Sequence, residues 1–234
     1  MRRDAGASGA SPADATAEAK RLAIGFTLAL IAGWVDAIGF IEVGQLYLSF
    51  MSGNTTQLGL AIAASADVRI LRAGGVIASF FLGAFAGTLL ADAAGRFRLP
   101  LVLAVEFALV CAAIALTALR PGFAALLPIT VAMGMQNVLR QQVGRADVGK
   151  TFVTGALFSA GQSLARALTG RAPRVEWLAF LATWIAFVLG AAGGAYVLHR
   201  TSFAATLYAT ASALAVVALA TTPARDAGDQ ETGG

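Results

Sequence analysis

Residues 48–57 read Leu-Ser-Phe-Met-Ser-Gly-Asn-Thr-Thr-Gln, a polar stretch inside otherwise apolar sequence. Shortly before it lies GWVDAIGF (residues 33–40), with Asp36 in the middle of a hydrophobic run. About a hundred residues later the pairing returns as GMQNVLRQ (residues 134–141), followed by Thr-Phe-Val-Thr-Gly (residues 151–155). The rest of the chain reads as a hydrophobic scaffold around these two polar interruptions.

The composition indicates a membrane protein. Of the 234 residues, 58% are hydrophobic and only 13% are charged, whereas a soluble domain averages roughly 25% charged residues. So few charges are unable to cover a compact globule, and the long apolar runs predict a polytopic protein in a lipid bilayer. The net charge of +4 does not indicate nucleic-acid binding, because most Arg residues lie in short loops beside apolar segments, where membrane insertion places them.

Several kinds of chemistry have no signature in the chain. The single cysteine, Cys111, and the single histidine, His199, exclude an internal disulfide, a cysteine-rich metal site and a histidine cluster. There is no P-loop, no G-x-G-x-x-G and no H-E-x-x-H motif. We therefore expect no enzymatic activity, no cofactor and no metal.

The apolar segments predict an all-α fold. A crossing helix needs about 20 mainly apolar residues, and eight candidates occur, at residues 22–41, 46–64, 70–91, 99–119, 122–139, 151–165, 177–198 and 202–220. The second and sixth are rich in Gly, Ser, Thr and amide side chains, so we interpret them as broken or re-entrant. The other six are predicted to span, which gives a polytopic transmembrane helix bundle.

The polar positions recur in order and indicate two repeated halves. At an offset of 102, Ser52 matches Thr154 and Gly53 matches Gly155; at an offset of 101, Asp36 matches Asn137. Each half has four apolar segments, which places the halves at residues 22–119 and 120–222. The small polar residues at 1–21 and 223–234 predict disordered tails.

Charge placement favours six crossings over eight. With six, more of the 17 basic residues lie on the cytoplasmic side together with the N-terminus, as the positive-inside rule requires. Three crossings per half would make the halves inverted relative to each other, as in many transporter folds. Eight spans, with parallel halves, stay open as the alternative.

Asp36 is the first candidate for a functional residue. A carboxylate at membrane depth costs about 2.5–3.5 kcal/mol on insertion scales, so it should face the bundle interior. One interpretation is a contact for substrate or a coupled proton. The other is an anchor that accepts hydrogen bonds from backbone N–H groups freed near Gly53. Glu106, in the fourth segment, is interpreted first as a buried structural carboxylate paired with Arg.

The two interruptions supply the other candidates. Gly weakens a helix, and Asn and Thr side chains compete for its backbone hydrogen bonds. At membrane depth, irregular backbone is tolerated only inside protein or beside a water-filled cavity. The alternative interpretation is close helix packing, with the amides as interhelical hydrogen bonds. The predicted substrate-binding residues are Asp36, Ser52, Gly53, Asn54, Thr55, Gln57, Gln136, Asn137, Thr154, Gly155 and Gln162.

The run GWVDAIGFIEVGQLYLSFMSGNTTQLG, with the later MGMQN and TFVTGALFSAGQSLA, resembles the YoaK-type family of bacterial integral membrane proteins. The resemblance covers about residues 22 to 220. The marks of that family are a G-[WY]-x-D-A-x-[GT]-F start and a [TS]-G-N-T element, and both stand intact here around Asp36 and Asn54. The resemblance implies a multi-pass protein of the bacterial inner membrane, typically with six spans. It implies no substrate, because the family is catalogued as a domain of unknown function.

Two functions from different classes follow. The first is a small-solute transporter or channel, with a polar or ionic solute bound between the two interruptions. The second is a non-transporting membrane module that binds a lipid, a small ligand or a partner protein. The many small residues also allow a homo-oligomer through helix faces.

Overall fold

The computed structural model describes residues 12–42, 44–120, 122–139, 142–143, 146–147 and 153–222. The predictions for residues 1–11 and 223–234, and the polar positions Gln141 and Thr151, lie outside these residues. Eight helices occur in the described part: α1 Pro12–Glu42, α2 Met51–Ala63, α3 Asp67–Ala94, α4 Arg98–Leu119, α5 Leu127–Gln136, α6 Val153–Leu168, α7 Glu176–Arg200 and α8 Phe203–Thr221. There are also 3-10 turns at Gly95–Phe97 and Phe123–Leu126, and strands β1 (Gln142–Val143) and β2 (Ala146–Asp147) pair antiparallel.

Four stretches of the described chain are long and apolar enough to cross a membrane: Thr16–Glu42, Asp67–Leu119, Glu176–Arg200 and Phe203–Thr221. The second contains 53 residues, and as one straight helix it would extend about 80 Å, far beyond a hydrocarbon core of about 30 Å. It consists of α3 and α4, which pack against each other across the 3-10 turn, and so provides two crossings. The exterior is apolar as well, for example at Phe81, Phe85 and Leu89, each more than half exposed. The protein is therefore a polytopic membrane helix bundle.

The segment predicted at 122–139 forms a shorter helix than expected. Its apolar helical part is Phe123–Gln136, and the N–H groups of Val138 and Leu139 then make turn bonds to the carbonyls of Met135 and Gln136. The first helix is longer than expected, because α1 begins at Pro12. Local apolar content alone therefore determines neither the first residue of α1 nor the last residue of α5.

Glycines bring two pairs of helices into backbone contact. A Cβ atom added to Gly33 of α1 would overlap the carbonyl oxygen of Phe187 on α7, and one added to Gly190 would overlap that of Leu30. In the other pair, a Cβ on Gly134 of α5 would overlap the carbonyl oxygen of Phe80 on α3. Such contacts require glycine, because only the absence of a side chain lets two helix backbones approach this closely.

The two contacts are equivalent in sequence. Gly134 lies 101 residues after Gly33, and Phe187 lies 107 residues after Phe80. The first helix of each half therefore packs against the third helix of the other half. The pair α4 and α8 repeats as well: the buried residues Val102, Leu103, Glu106, Val110 and Ala113 are each matched 104 residues later by Thr206, Leu207, Thr210, Leu214 and Val217.

The turn after α1 determines the course of α2. Gly44 has a φ of 77°, and the N–H of Gln45 donates to the carbonyl of Phe40, which is a Schellman-type ending. A Cβ on Gly44 would lie 3.9 Å from Nη1 of Arg72, and the Arg72 guanidinium lies 5.9 Å from the ring centre of Phe123. The end of α1 and the starts of α3 and α5 thus share one side of the bundle.

Helix α2 begins and ends near the side of the bundle where α1 ends. Ser49, just before α2, bonds to Asp36, which lies six residues, or about 9 Å, before the end of α1. The 13 residues of α2 then rise about 20 Å to the start of α3. Helix α6 is the counterpart: Thr154, near its start, shares a cavity with Asp36, and its end leads to the start of α7. For α2 this is the course of a re-entrant helix, whereas the residues just before α6 lie outside the described ranges.

This arrangement predicts the sidedness of two loops. In a Cys111→Ser background, single cysteines at Asp67 and Gly170 should react with an impermeant thiol reagent from opposite faces of the membrane. Asp67 follows α2 and Gly170 follows α6, and with six crossings these loops lie on opposite sides. Eight crossings would place them on the same side, so labelling of both positions from one face would contradict the arrangement. The comparison is made in intact cells and in inverted vesicles.

Candidate functional site

A cavity of about 460 Å³ lies between α1, the loop 44–50, α6 and α7. Helix α1 and the loop contribute Asp36, Ala37, Phe40, Ile41, Tyr47 and Phe50. Helices α6 and α7 contribute Val153, Thr154, Phe187, Ala191 and Ala195. The volume falls within the range of small-molecule pockets, about 300–1,000 Å³.

Asp36 is the charged side chain of this lining. It is 3% exposed. Its Oδ1 accepts a hydrogen bond from the backbone N–H of Ser49, and its Oδ2 accepts one from the Ser49 hydroxyl at 2.8 Å. Hydrogen bonds to an ionised acceptor are stronger than neutral ones. The carboxylate therefore holds the loop against α1 while one edge of it borders the cavity.

The loop is fixed from its other end by Asn54. This side chain is fully buried; its Oδ1 accepts from the N–H of Tyr47 at 2.9 Å, and its Nδ2 donates to the carbonyl of Tyr47 at 2.7 Å. Gly39 lets the loop approach α1, since a Cβ there would lie 2.6 Å from Cγ of Leu48. The side chains of Asp36 and Asn54, together with Gly39, thus fix the backbone of the loop 44–50.

Three aromatic rings form one wall of the cavity. The ring centres of Phe40 and Tyr47 are 5.1 Å apart, and those of Tyr47 and Phe50 are 5.2 Å apart in an edge-to-face arrangement. Both separations suit favourable aromatic pairs. Gly53 makes room for this wall, because a Cβ there would lie 2.7–2.8 Å from the rings of Phe50 and Tyr47. The wall is therefore built jointly by α1, the loop and α2.

The predicted break at residues 51–57 is instead the start of a continuous helix, and the correction has a local cause. Thr55 and Thr56 donate their hydroxyl protons to the carbonyls of Met51 and Ser52, four residues earlier, which satisfies both partners within the helix. The non-helical backbone lies before it, at residues 44–50. The sixth segment, which the structure describes from Val153 onward, is also a continuous helix, α6.

The predicted site residues are distributed over several places. Asp36 and Thr154 line the cavity together. Asn54 braces the loop, Gly53 accommodates the rings, and Ser52, Thr55 and Gln162 are exposed on the short helices, with Gln57 and Gly155 partly buried there. Gln136 and Asn137 lie at the end of α5 and do not line the cavity.

Several buried polar atoms in the described part of the chain have no hydrogen-bond partner. They include both carboxyl oxygens of Glu106, the hydroxyl of Thr130 and Nε2 of Gln136. Asn137, in contrast, donates to the carbonyl of Met133. The predicted Arg partner of Glu106 is absent among the described residues. The matching residue of the other half, Thr210, bonds to the carbonyl of Thr206.

The comparisons with known proteins identify the family. Residues 24–220 match the family described as "Protein of unknown function (DUF1275)". The chain belongs to this family. It is 32% identical over 200 residues to UPF0700 transmembrane protein RA0705 of Rhizobium meliloti (strain 1021), covering 85% of each chain. It is 29% identical over 151 residues to UPF0700 transmembrane protein YoaK of Bacillus subtilis (strain 168), covering 62% of this chain and 67% of that one. The resemblance to the YoaK-type family is thereby confirmed, and no solved structure matches.

Sequence analysis did not predict the apolar residues that line the cavity beside Asp36 in this DUF1275 protein. Tyr47, Phe50 and Phe187 all border it, yet none stands out among the other large apolar residues of a membrane segment. A usable signal existed only for Tyr47, which directly precedes the polar stretch at residues 48–57, and for Phe50, which belongs to it. Phe187 comes from the middle of α7, and its approach to Asp36 depends on the glycine contact between α1 and α7.

Glu106 gives a prediction about stability. Replacing it with Met should raise the unfolding free energy by about 1–3 kcal/mol, because a buried polar group without a hydrogen bond is costly and an apolar side chain of similar length is not. Thermal unfolding in lipid nanodiscs measures the effect, with Glu42→Met at an exposed carboxylate as the control. A lower melting temperature for Glu106→Met would mean that the carboxyl group stabilises the folded protein.

Proposed function

We propose that the protein is a membrane carrier, rather than an enzyme, for a small organic solute that binds in the cavity beside Asp36. The observation that carries the proposal is the cavity of about 460 Å³, which is lined by helices from both halves and has one carboxylate in its wall. In an otherwise apolar bundle, an ionisable residue is by default a candidate functional residue.

The packing of the two halves supports this proposal. Matched first helices pack against matched third helices, and the end of α1 lies beside the starts of α3 and α5, which is the placement expected of inverted halves. In many carriers, alternating access arises when one inverted repeat rocks against the other around a site between them. Here, the lining comes from α1 and its loop in the first half and from α6 and α7 in the second.

The lining modifies the solute expected from the sequence. Most of it is aromatic or aliphatic, and the polar side chains are those of Asp36, Tyr47 and Thr154. Such a surface suits an organic molecule with one polar group better than a hydrated ion or a sugar, which need many hydrogen bonds. The Arg distribution supports a cytoplasmic N-terminus, and the bacterial transmembrane relatives support a location in the bacterial inner membrane.

A second candidate function is a non-transporting module that binds a ligand or partner. It is favoured by the hydrogen bonds of Asp36 and Asn54, which are both made to the loop 44–50 and which explain these residues without any solute. The two functions differ in one property: a carrier must open its cavity to both faces of the membrane, whereas a module has no such requirement.

Access to Thr154 tests the carrier. In a Cys111→Ser background, Thr154→Cys should react with the impermeant reagent 2-(trimethylammonio)ethyl methanethiosulfonate in right-side-out and in inside-out vesicles. Ala195→Trp should slow both reactions by filling the cavity that Ala195 lines. The matched control is Ala192→Trp, at an exposed position on the same helix. Reaction from one face only, or from neither, would contradict the carrier function.

A further inference from the structure

We propose that the ligand of this cavity is an organic cation with an apolar body, whose charge is held at Asp36 and whose body lies against the rings of Phe40, Tyr47 and Phe50. The inference rests on the proposed function, since it names the class of solute for the same site. It follows from the hydrogen bonds of Asp36, from the absence of a basic partner for it among the described residues, and from the chemistry of the walls.

The carboxylate keeps accepting capacity toward the cavity. An ionised carboxylate has about four lone-pair positions, and the hydrogen bonds of Asp36 to Ser49 occupy one position on each oxygen. Only 3% of the side chain is exposed, so little water contacts the remaining positions. Because the group also lines the cavity, a donor or a positive charge placed there is able to reach it.

No protein cation neutralises this charge within the described part of the chain. The groups that hydrogen-bond to Asp36 are the backbone N–H and the hydroxyl of Ser49, and no Arg, Lys or His of the described residues acts on it. A carboxylate without a cationic partner is costly at membrane depth. A ligand with a positive charge compensates that cost, whereas an anion adds like-charge repulsion.

The walls specify the body of the ligand. Faces of aromatic rings attract cations, and the attraction is stronger where the site is desolvated. Phe40, Tyr47 and Phe50 stand on one side of the cavity, and Phe187 of α7 also lines it. An inorganic ion would lose its hydration shell here without gaining a set of oxygen ligands. An alkyl or aryl ammonium group loses far less, because its charge is spread and its body is apolar.

The test uses two probes with the same benzyl group and opposite charge, benzyltrimethylammonium and benzylsulfonate. Binding is measured by titration calorimetry on the full chain in phosphatidylcholine nanodiscs. The cation should bind at least tenfold more tightly than the anion. Asp36→Asn should weaken cation binding at least tenfold, since the amide retains an acceptor for Ser49 but carries no charge. Glu42→Gln, which removes the exposed carboxylate at the end of α1, should leave the dissociation constant unchanged.

Equal binding of both probes, no binding of the cation to the wild-type protein, or an unchanged dissociation constant in a folded Asp36→Asn protein would each overturn the ligand class. If Asp36→Asn fails to fold, the comparison of the two probes on the wild-type protein still decides. Failure of the carrier function is distinguishable: tight cation binding combined with labelling of Thr154→Cys from one face only would support the ligand class and remove transport.

Discussion

Gly190→Ala should destabilise the protein by about 3 kcal/mol or more, whereas Gly193→Ala, one turn further along α7, should be tolerated. The added methyl group at Gly190 would overlap the carbonyl oxygen of Leu30, which belongs to helix backbone and is unable to rotate away. Overpacking in a well-packed core costs about 1–3 kcal/mol and occasionally more. Because the obstacle here is rigid backbone, we expect the cost of this substitution to lie at the upper end of that range.

Gly193 is a close control because it shares the helix and the facing element. A Cβ there would lie 3.5 Å from Cζ3 of Trp34, which is an ordinary van der Waals contact. Thermal unfolding in nanodiscs, with the melting temperatures of both variants compared with the wild-type protein, measures the difference. Equal melting temperatures for the two variants would show that α1 and α7 are not in backbone contact in the membrane.

Asn54→Ala should lower stability by about 2–5 kcal/mol, with the local effect concentrated in the loop 44–50. The substitution leaves both the N–H and the carbonyl of Tyr47 without their partner, and a buried polar group without a hydrogen bond costs about 1–3 kcal/mol. The amide orientation follows from its partners, because a backbone N–H only donates and a carbonyl only accepts.

Hydrogen exchange at the amide of Tyr47 is the sharpest measurement of this effect, since its protection depends directly on Asn54. Thr55→Ala is the matched control: Thr55 is the next residue, is exposed, and donates its hydroxyl proton to the carbonyl of Met51 within α2. Its loss should change stability by less than about 0.5 kcal/mol. An unchanged exchange rate for Tyr47 in Asn54→Ala would contradict the bracing role.

The sequence predicted much of the fold because its signals are local. Long apolar runs specify membrane helices, and the polar stretch at residues 48–57 marks the point where the chain departs from a simple crossing. The alternative interpretation of Asp36 as an anchor for backbone N–H groups matches its bonds to Ser49. The position of the irregular backbone was predicted a few residues late, because Ser, Thr and Asn fit the first turn of a helix as readily as a break.

The roles of individual polar residues were harder to predict. Asn54 and Thr154 both sit in polar stretches of short segments, yet one is fully buried as a brace and the other borders the cavity. Gln136 and Asn137 are adjacent amides in different environments. Nε2 of Gln136 has no hydrogen-bond partner among the described residues, whereas Nδ2 of Asn137 donates to the carbonyl of Met133. Spacing along one helix does not distinguish these cases.

By itself, the sequence determined that the chain is a membrane helix bundle with two recurring halves and a buried carboxylate in the first helix. Only the tertiary structure decided which polar groups meet, since Asp36 and Thr154 come together through the packing of α1, α6 and α7. The physical reason is the solvent. In a bilayer, the outer face of a helix is as apolar as its inner face, so hydrophobic periodicity does not tell which side faces the cavity.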